Sequence, residues 1–309
     1  MHINVLSEGL RMNRLLIAAA VLVVPVAHAS AAALVYEPFD YVAGPLQGNT
    51  NASNGRQWLR AGTADPPAAI NVIGGNLTPP ALLPPAVGSS LTITGTGGAS
   101  GATNRLALTQ GPTGTETGFI TSGTVYFSFP MKVTSLTGSN TSIGGFFTGL
   151  NNTGNSSQTT NPSVVGARLQ MRIDPTDATK YNLGVFSNTG ATAAATSWSS
   201  GLTVGDEVFV VAAYTFNPDG TTNDVSSLWI NPGNLGDENA PAAHFTHTGG
   251  ADLNQIGSII ARQSPAPHLV MDELRIGTSW ADVTPVPEPA MLSVLGLGAA
   301  GMLARRSRR

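Results

Sequence analysis

Adjacent acidic residues are the first groups in this sequence that could do chemistry. The pairs are Asp206-Glu207, Asp237-Glu238 and Asp272-Glu273. Hydrolysis of a glycosidic bond needs two carboxyl groups that flank one bond, and on a strand only alternate residues share a face. The patterns Glu-x-Asp, Asp-x-Glu and Asp-x-Asp do not occur. The sequence therefore argues against a glycosidase with its acids on one strand, and leaves open carboxylates that converge from different strands.

Other catalytic motifs are also missing from the sequence. It contains no Gly-x-Ser-x-Gly, the turn that presents a serine nucleophile in α/β-hydrolases. Neither lysine, Lys132 or Lys180, is followed by Ser or Thr, so a phosphate-binding loop of the Walker type is absent. We therefore predict that the protein is not an enzyme.

The segment NPDGTTND offers a set of oxygen ligands for a cation. Asn217, Asp219 and Asp224 carry side-chain oxygens, and Gly220 permits a sharp turn. Calcium prefers such ligands, but Asp-Gly between two apolar runs also signals a β-hairpin. We predict no obligatory cofactor, and calcium at this loop is the alternative.

Asp272, in LVMDELRI, is a further candidate ligand. It shares the phase of Val270 and Ile276, which we interpret as the phase that faces the core. A buried carboxylate needs a partner. Asp272 is predicted either to bind calcium at the rim or, as we favour, to accept backbone N–H bonds from a neighbouring loop. Glu273 and Arg275 on the other face are predicted to form a surface ion pair of little energetic weight.

The histidines and tryptophans give weaker signals. His244 and His247 lie three residues apart, and in an extended segment they face opposite ways, so we expect solvated loop histidines rather than metal ligands. Trp198 lies in the most polar context of the four tryptophans, which predicts that it is the most exposed of them.

Alternating runs predict the elements that position these groups. TVYFSFPMKV and VVGARLQMRI alternate with period two, and the second turns Arg168, Gln170 and Arg172 outward. Pro130 predicts a sheet edge or a bulge. DEVFVVAAYTF predicts a central strand, and HLVMDELRIG predicts one more strand. Because no helical period is evident over residues 30–285, we predict an all-β fold with a single β-sandwich domain there.

The two ends of this body resemble a known family. LVYEPFDYVAGPL and VMDELRIGTSWADV are similar to the first and last strands of laminin-G-like and concanavalin-A-like jelly rolls, and YTFNPDGTTNDVSSLWINP resembles the hairpin before them. The resemblance implies that the first and last strands lie near each other. Members of the family bind sugars or calcium, cleave glycosides or serve as scaffolds, and the fold alone does not choose among these roles.

Composition and charge exclude several classes of protein. The 309-residue chain has no cysteine, which excludes a disulfide scaffold. Six of its 15 basic and two of its 18 acidic residues lie outside residues 30–285, which leaves nine basic against sixteen acidic residues and a formal charge of −7. We therefore predict no basic patch and no nucleic-acid partner.

The first 29 residues predict a secretory signal peptide. MNRLLIAAAVLVVPVAHAS has a basic residue, an apolar run and an A-x-A-like cleavage site formed by Ala27 and Ala29, and Met12 is a plausible true start. The Sec machinery is the partner that this implies. The alternative is an uncleaved membrane anchor.

The last 24 residues, 286–309, resemble the PEP-CTERM sorting signal. The motif Val286, Pro287, Glu288, Pro289 precedes 15 apolar or small residues, 290–304. As a helix these residues span about 22 Å, less than the ~30 Å hydrocarbon core. A basic cluster that the positive-inside rule places in the cytoplasm ends the chain: Arg305, Arg306, Arg308 and Arg309.

The PEP-CTERM resemblance implies export by a Gram-negative bacterium. It implies transient anchoring of the tail as a transmembrane helix in the inner membrane, cleavage by an exosortase, and association with exopolysaccharide or biofilm at the cell surface or in the matrix. Together with the missing catalytic motifs, this favours a non-enzymatic surface or matrix protein. A carbohydrate- or calcium-binding lectin-like module is the alternative, and a polysaccharide-cleaving enzyme is the third hypothesis.

Overall fold

The computed structural model describes residues 33–62, 69–94, 102–111, 115–142, 144–154, 162, 164–186, 197–263 and 268–286. The predicted signal peptide, including Ala27 and Ala29, lies outside the described residues, as does the tail from residue 287 onward. Over the part of the chain that the structure describes, no helix has the length and apolar character needed to cross a membrane.

Strands make up nearly all of the regular structure. In chain order they are β1 (Val35–Glu37), β2 (Gly44–Pro45), β3 (Trp58–Arg60), β4 (Ile70–Ile73), β5 (Ser90–Ile93), β6 (Thr103–Ala107), β7 (Thr124–Ser135), β8 (Gly145–Asn151), β9 (Val165–Ile173), β10 (Lys180–Phe186), β11 (Leu202–Thr203), β12 (Glu207–Thr215), β13 (Val225–Ile230), β14 (Phe245–Thr248), β15 (Ser258–Arg262), β16 (His268–Met271) and β17 (Leu274–Gly277). One short helix, α1 (Trp280–Val283), follows β17 among the described residues.

The strands form two antiparallel sheets that face each other as a sandwich. The ten-stranded sheet runs β14-β13-β12-β7-β16-β5-β4-β2, with β17 paired to β7 and β1 paired to β17. The seven-stranded sheet runs β11-β10-β9-β8-β15-β6-β3. The predicted all-β sandwich is confirmed. The first and last strands are neighbours, with Val35 opposite Ile276.

The apolar phases of both sheets meet in one core. Phe127 and Phe129 of β7 and Leu169 and Met171 of β9 belong to this core, and all four are fully buried. Burial of each such side chain contributes about 1.5–3 kcal/mol relative to exposure. The core therefore fixes which residues of β9 must point out of the sandwich, since alternate residues take opposite faces.

Pro130 lies inside the ten-stranded sheet, at a break in the neighbouring strand. It pairs with Phe209 of β12 on one side. On the other side its carbonyl accepts a hydrogen bond from Asp272 N–H (3.1 Å), between β16 and β17. Because proline has no N–H to donate, a continuous ladder cannot form there, and Glu273 takes a left-handed conformation (φ 49°).

The break means that the prediction of one strand over HLVMDELRIG was wrong, because two strands occur there. The prediction that Val270, before the break, faces the core was also wrong. Leu269 and Met271 face the core, whereas Val270 is half-buried on the other side.

The end of the described body covers the outer face of the ten-stranded sheet. Trp280 and Val283 pack there against Trp229 in a second apolar cluster. The indole N–H of Trp280 donates to the carbonyl of Asn234 (2.6 Å). The described body therefore ends on the outer face of the ten-stranded sheet, on the side of the sandwich away from the seven-stranded sheet.

Candidate functional site

Three polar side chains of β9 point outward from the middle of the seven-stranded sheet. Because Leu169 and Met171 face the core, Arg168, Gln170 and Arg172 must lie on the outer face.

The strand register extends this group into a row across the sheet. Phe146 lies opposite Gln170, Gln170 opposite Gly184, and Gly184 opposite Trp198, which follows β10 in the chain. The sheet thus gathers side chains that are far apart in sequence.

Two arginines share one aromatic ring at one end of the row. The guanidinium carbon of Arg168 lies 5.0 Å from the Phe146 ring centroid, and that of Arg262 lies 4.4 Å from the same centroid. At the other end, the guanidinium carbon of Arg172 lies 4.3 Å from the Trp198 ring centroid. Contacts of this kind contribute about 0.5–2 kcal/mol each and hold the guanidinium planes in place.

Several polar atoms of this face lack a partner. Gln170 is 4% exposed, and its Oε1 makes no hydrogen bond within the described residues. The Nε atoms of Arg168 and Arg262 are buried and likewise make none there. Buried polar groups are nearly always hydrogen-bonded, so these three atoms leave the polar groups of this face incompletely satisfied.

The arginines of this face remain positively charged at neutral pH. Burial and, to a smaller extent, the nearby Arg262 together lower the pKa of Arg168 to about 10. Burial also lowers the pKa of Arg262. His247 of β14 lies close by, with its ring 5.6 Å from that of Phe186, and burial and Arg168 lower its pKa. All of these pKa values fall, which is the expected result when burial and a neighbouring positive charge destabilise the protonated form.

One carboxylate lies at the margin of the face. Asp174 accepts hydrogen bonds from the backbone and hydroxyl of Thr176 and from the amide of Asn182, and the pKa of Asp174 falls to about 2 because of these bonds. Asn182 also accepts a hydrogen bond from Arg172 Nε (3.2 Å). The carboxylate therefore anchors the Arg172 end of the row, and it forms no ion pair with Arg168 or Arg262.

The structure corrects the prediction that the body has no basic patch. Arg105, Arg168, Arg172 and Arg262 lie on the outer face of one sheet, although 157 residues separate the first from the last in sequence. The net charge of the body does not reveal this group of arginines, because the strand order of the sheet brings together residues that are far apart in sequence. The alternation in VVGARLQMRI was the available signal for two of the four.

The predicted oxygen ligands do not form one group. Asp224 Oδ2 accepts from the Tyr214 hydroxyl (2.5 Å), and its Oδ1 accepts from the backbone N–H of Asn217 (2.6 Å). Asp219 is exposed in the turn and contributes to neither contact, and Asp272 lies elsewhere, at the break in the ten-stranded sheet. Among the described residues, no group of three or more His, Asp and Glu side chains is placed to hold a metal ion.

Asp272 ties a neighbouring loop to the sheet. Its carboxylate accepts hydrogen bonds from the N–H groups of Leu77 (2.9 Å) and Glu273 (2.7 Å). Burial raises its pKa to about 7, although the two N–H donors act in the opposite direction.

The prediction of a surface pair next to Asp272 was wrong. Arg275 does contact Glu273 (3.2 Å), but the Glu273 side chain is only 4% exposed. Glu273 also accepts from the Tyr36 hydroxyl and from Val87 N–H, because the positive φ at the strand break turns this residue inward.

His247 lies on the edge strand β14 rather than in a solvated loop, whereas His244 is exposed in the bend just before that strand. His244 Nδ1 accepts from Ile230 N–H (3.1 Å), and His247 is 8% exposed and faces Phe186. Trp198 is half-buried, whereas the other three tryptophans are buried.

Comparison with known proteins identifies the far end of the chain. Residues 285–309 match the model of the PEP-CTERM protein-sorting motif. The chain carries a PEP-CTERM sorting tail. This tail marks it as an exported protein that an exosortase processes. The predicted motif Val286, Pro287, Glu288, Pro289 and the terminal arginines lie within the match.

The body is similar to solved β-sandwich structures at low sequence identity. A mutant of alginate lyase Aly36B in complex with alginate trisaccharide is 12% identical, with a TM-score of 0.43 over 79% of this chain and 97% of that one. An endo-β-1,4-glucuronan lyase from Trichoderma reesei is 10% identical, with a TM-score of 0.42 over 80% and 98%. The carbohydrate recognition domain of Emp46p is 10% identical, with a TM-score of 0.33 over 61% and 82%. No curated protein matches the sequence.

Proposed function

We propose that this protein is a non-enzymatic component of the cell surface or extracellular matrix, and that it binds polysaccharide through the outer face of the seven-stranded sheet. The observation that carries the proposal is the row of Phe146, Gln170 and Trp198, flanked by arginines stacked on both rings. Aromatic faces pack on sugar rings, and Gln170 lies between the two rings with little exposed surface of its own.

The shape of the face suits a polymer better than a small molecule. Phe146, Arg172 and Trp198 are half-buried on a sheet surface, so a chain can lie across them. Two clefts of about 320 and about 350 Å³ lie elsewhere, beside Glu207 and Asp224, and neither is lined by the arginines. Small-molecule sites are usually enclosed clefts of this size.

The place where the described body ends is compatible with binding at this face. The described body ends at Val286, against Gly236, on the outer side of the ten-stranded sheet. Attachment of the body through that end would leave the opposite, seven-stranded face free for a ligand.

Affinity electrophoresis of the full chain in mild detergent tests the proposal. Native gels that contain polygalacturonate, sulfated dextran or neutral dextran are compared with gels without polysaccharide. We expect retardation by at least one of the polymers, and weaker retardation of Phe146→Ala. Arg56→Gln, altered at the opposite edge of the same sheet, is the control. Equal mobility in all gels would refute polysaccharide binding.

Polysaccharide cleavage is a second candidate, favoured by the position of His247. Its lowered pKa leaves the imidazole neutral at pH 7, as a general base requires, and Arg168 lies beside it. A lyase base removes the proton next to a uronate carboxylate, and the glycosidic bond on the adjacent carbon then breaks to leave a double bond. Incubation of polygalacturonate with the chain tests this through ultraviolet absorbance. We expect no increase, and an increase that His247→Ala abolishes would establish the second candidate instead.

A further inference from the structure

We infer that the ligand of this face is an acidic polysaccharide, and that Arg168 and Arg262 together hold one of its carboxylate or sulfate groups. This inference rests on the proposed polysaccharide binding and adds the chemical class of the ligand. Four observations support it: the concentration of charge, the absence of ion pairs at both arginines among the described residues, the shared ring and the acidity of the remaining body.

Positive charge is concentrated on a body that is otherwise acidic. Four of the nine basic residues of residues 30–285 lie on the outer face of one sheet, while sixteen acidic residues give the same region a formal charge of −7. Glu116 acts on Arg105 and Asp174 on Arg172, whereas no described carboxylate affects the pKa of Arg168 or Arg262. A cluster of one sign in a body of the opposite sign focuses the electrostatic field at that place. An anionic ligand is therefore drawn to this face.

Among the described residues, neither of the two arginines that share Phe146 forms an ion pair. The ion pairs among the described residues involve Lys132, Lys180 and Arg275. The interior stretches outside the described ranges contain one acidic residue, Asp65. An unpaired, partly desolvated charge is costly, and a bound anion would remove that cost.

The geometry of the pair suits an oxyanion. Phe146 holds the guanidinium carbons of both Arg168 and Arg262 within 5.0 Å of its centroid, so both forks are positioned before a ligand arrives. Guanidinium groups bind carboxylate and sulfate through paired N–H bonds, and these charge-assisted bonds are about twice as strong as neutral ones. Gln170 lies beside them on β9, opposite Phe146.

A glycan fits this face better than a nucleic acid does. The body charge of −7 repels a polymer that carries a charge at every phosphate. The protein is also exported. An acidic polysaccharide carries one charge per sugar and meets the same repulsion, so the export of the protein is what favours the glycan.

Isothermal titration of the full chain in mild detergent with oligosaccharides of matched length tests the inference. The probes are oligogalacturonate, its methyl ester, a sulfated dextran fragment and single-stranded DNA. We expect the oligogalacturonate or the sulfated fragment to bind at least about tenfold more tightly than the neutral ester, and this difference to be largely lost at about 200 mM salt. The DNA should bind more weakly than the preferred glycan.

Variants assign the effect to the two arginines. Arg168→Gln and Arg262→Gln should each weaken binding of the acidic probe by about tenfold while binding of the neutral ester is unchanged. Arg168→Lys should lose part of the effect, and Arg56→Gln should lose none. Circular dichroism confirms that each variant is folded, and either arginine variant suffices if the other fails to fold.

The outcomes separate this inference from the proposed function. Equal affinity for the acid and its ester, or variants that bind the acid like wild type, overturns the inference and leaves polysaccharide binding intact. Binding of none of the glycans overturns both. Tighter binding of DNA than of any glycan also overturns the inference, in favour of a nucleic-acid ligand.

Discussion

The guanidinium of Arg172, on β9, stacks on the ring of Trp198, which follows β10, with 4.3 Å between the guanidinium carbon and the ring centroid. A second contact ties the same arginine to Asn182 on β10. Trp198 is thus held on the outer face of the seven-stranded sheet, in line with Gln170 and Phe146.

Removal of the Trp198 ring should weaken polysaccharide binding and leave the fold intact. We expect Trp198→Ala to lower affinity by about fivefold to tenfold, because a stacking surface worth about 1 kcal/mol is lost. Trp198→Phe keeps a ring and should keep most of the affinity. Calorimetric titration checks both variants. Unchanged affinity of Trp198→Ala would exclude the ring from the site.

Replacement of Arg262 should separate stability from binding. We expect Arg262→Met to raise the free energy of unfolding by about 1 kcal/mol, because an apolar side chain of similar length removes an unpaired charge and its repulsion of Arg168. Arg56→Met, which loses a hydrogen bond to Gln110, should not raise the free energy of unfolding. Urea unfolding without ligand checks this, and a loss of stability in Arg262→Met would show that the charge is compensated in the free protein.

Asp272 should make stability fall as pH rises. Burial raises the pKa of this carboxyl to about 7 in the folded chain, from an ordinary value of 3.8. Between these two values the folded state binds more protons than the unfolded state, so this group lowers the free energy of unfolding from about pH 4 to about pH 7.

Asp272→Asn isolates this contribution because asparagine does not titrate. At low pH the variant should be about 1 kcal/mol less stable than wild type, because its side chain has one hydrogen-bond acceptor fewer. This difference in stability should shrink as pH rises, since Asp272 destabilises only the wild type over that range. Urea unfolding of both proteins at several pH values measures the difference. Parallel curves would mean that Asp272 keeps an ordinary pKa in the folded protein.

The exported protein should retain the residues that cover the ten-stranded sheet. Trp280 is 1% exposed, and Val286 lies so close to Gly236 that a methyl group at position 236 would come within 2.6 Å of Val286 Cγ2. We expect mass spectrometry of the processed protein to place its C-terminus at or beyond residue 286.

Truncation gives the matching stability test. A chain that ends at residue 286 should melt like the longer chain, whereas Trp280→Ala should cost about 3–5 kcal/mol because it opens a cavity beside Trp229. A processed protein that ends before residue 280 would contradict this account of the cover.

Much of the fold could be predicted because it is local. The alternation in β7 and in residues 167–172 of β9 assigns core and outward residues correctly, whereas Val165 and Ile173 were predicted to face the core and are not part of it. The Asp-Gly turn lies between β12 and β13 as expected. The strand break at Asp272 could not be predicted in the same way. It depends on Pro130, about 140 residues away in sequence, which cannot donate to the ladder.

The candidate site could be predicted only in part, for a similar reason. The outward phase of Arg168 and Arg172 follows from the sequence of β9 alone. Phe146 on β8, Arg262 on β15 and Trp198 after β10 join them because these segments are neighbours in the sheet. The order of strands in a sheet cannot be read from any single segment of the sequence. A net charge summed over the body conceals the resulting patch.

A crystal structure of the chain with a tetragalacturonate most directly tests the claim that this face is an acidic-glycan site. We expect the sugar to lie across Phe146 and Trp198, with one carboxylate within hydrogen-bonding distance of both Arg168 and Arg262. An ordered sugar on the ten-stranded sheet, or one on this face whose carboxylates avoid both arginines, would contradict it.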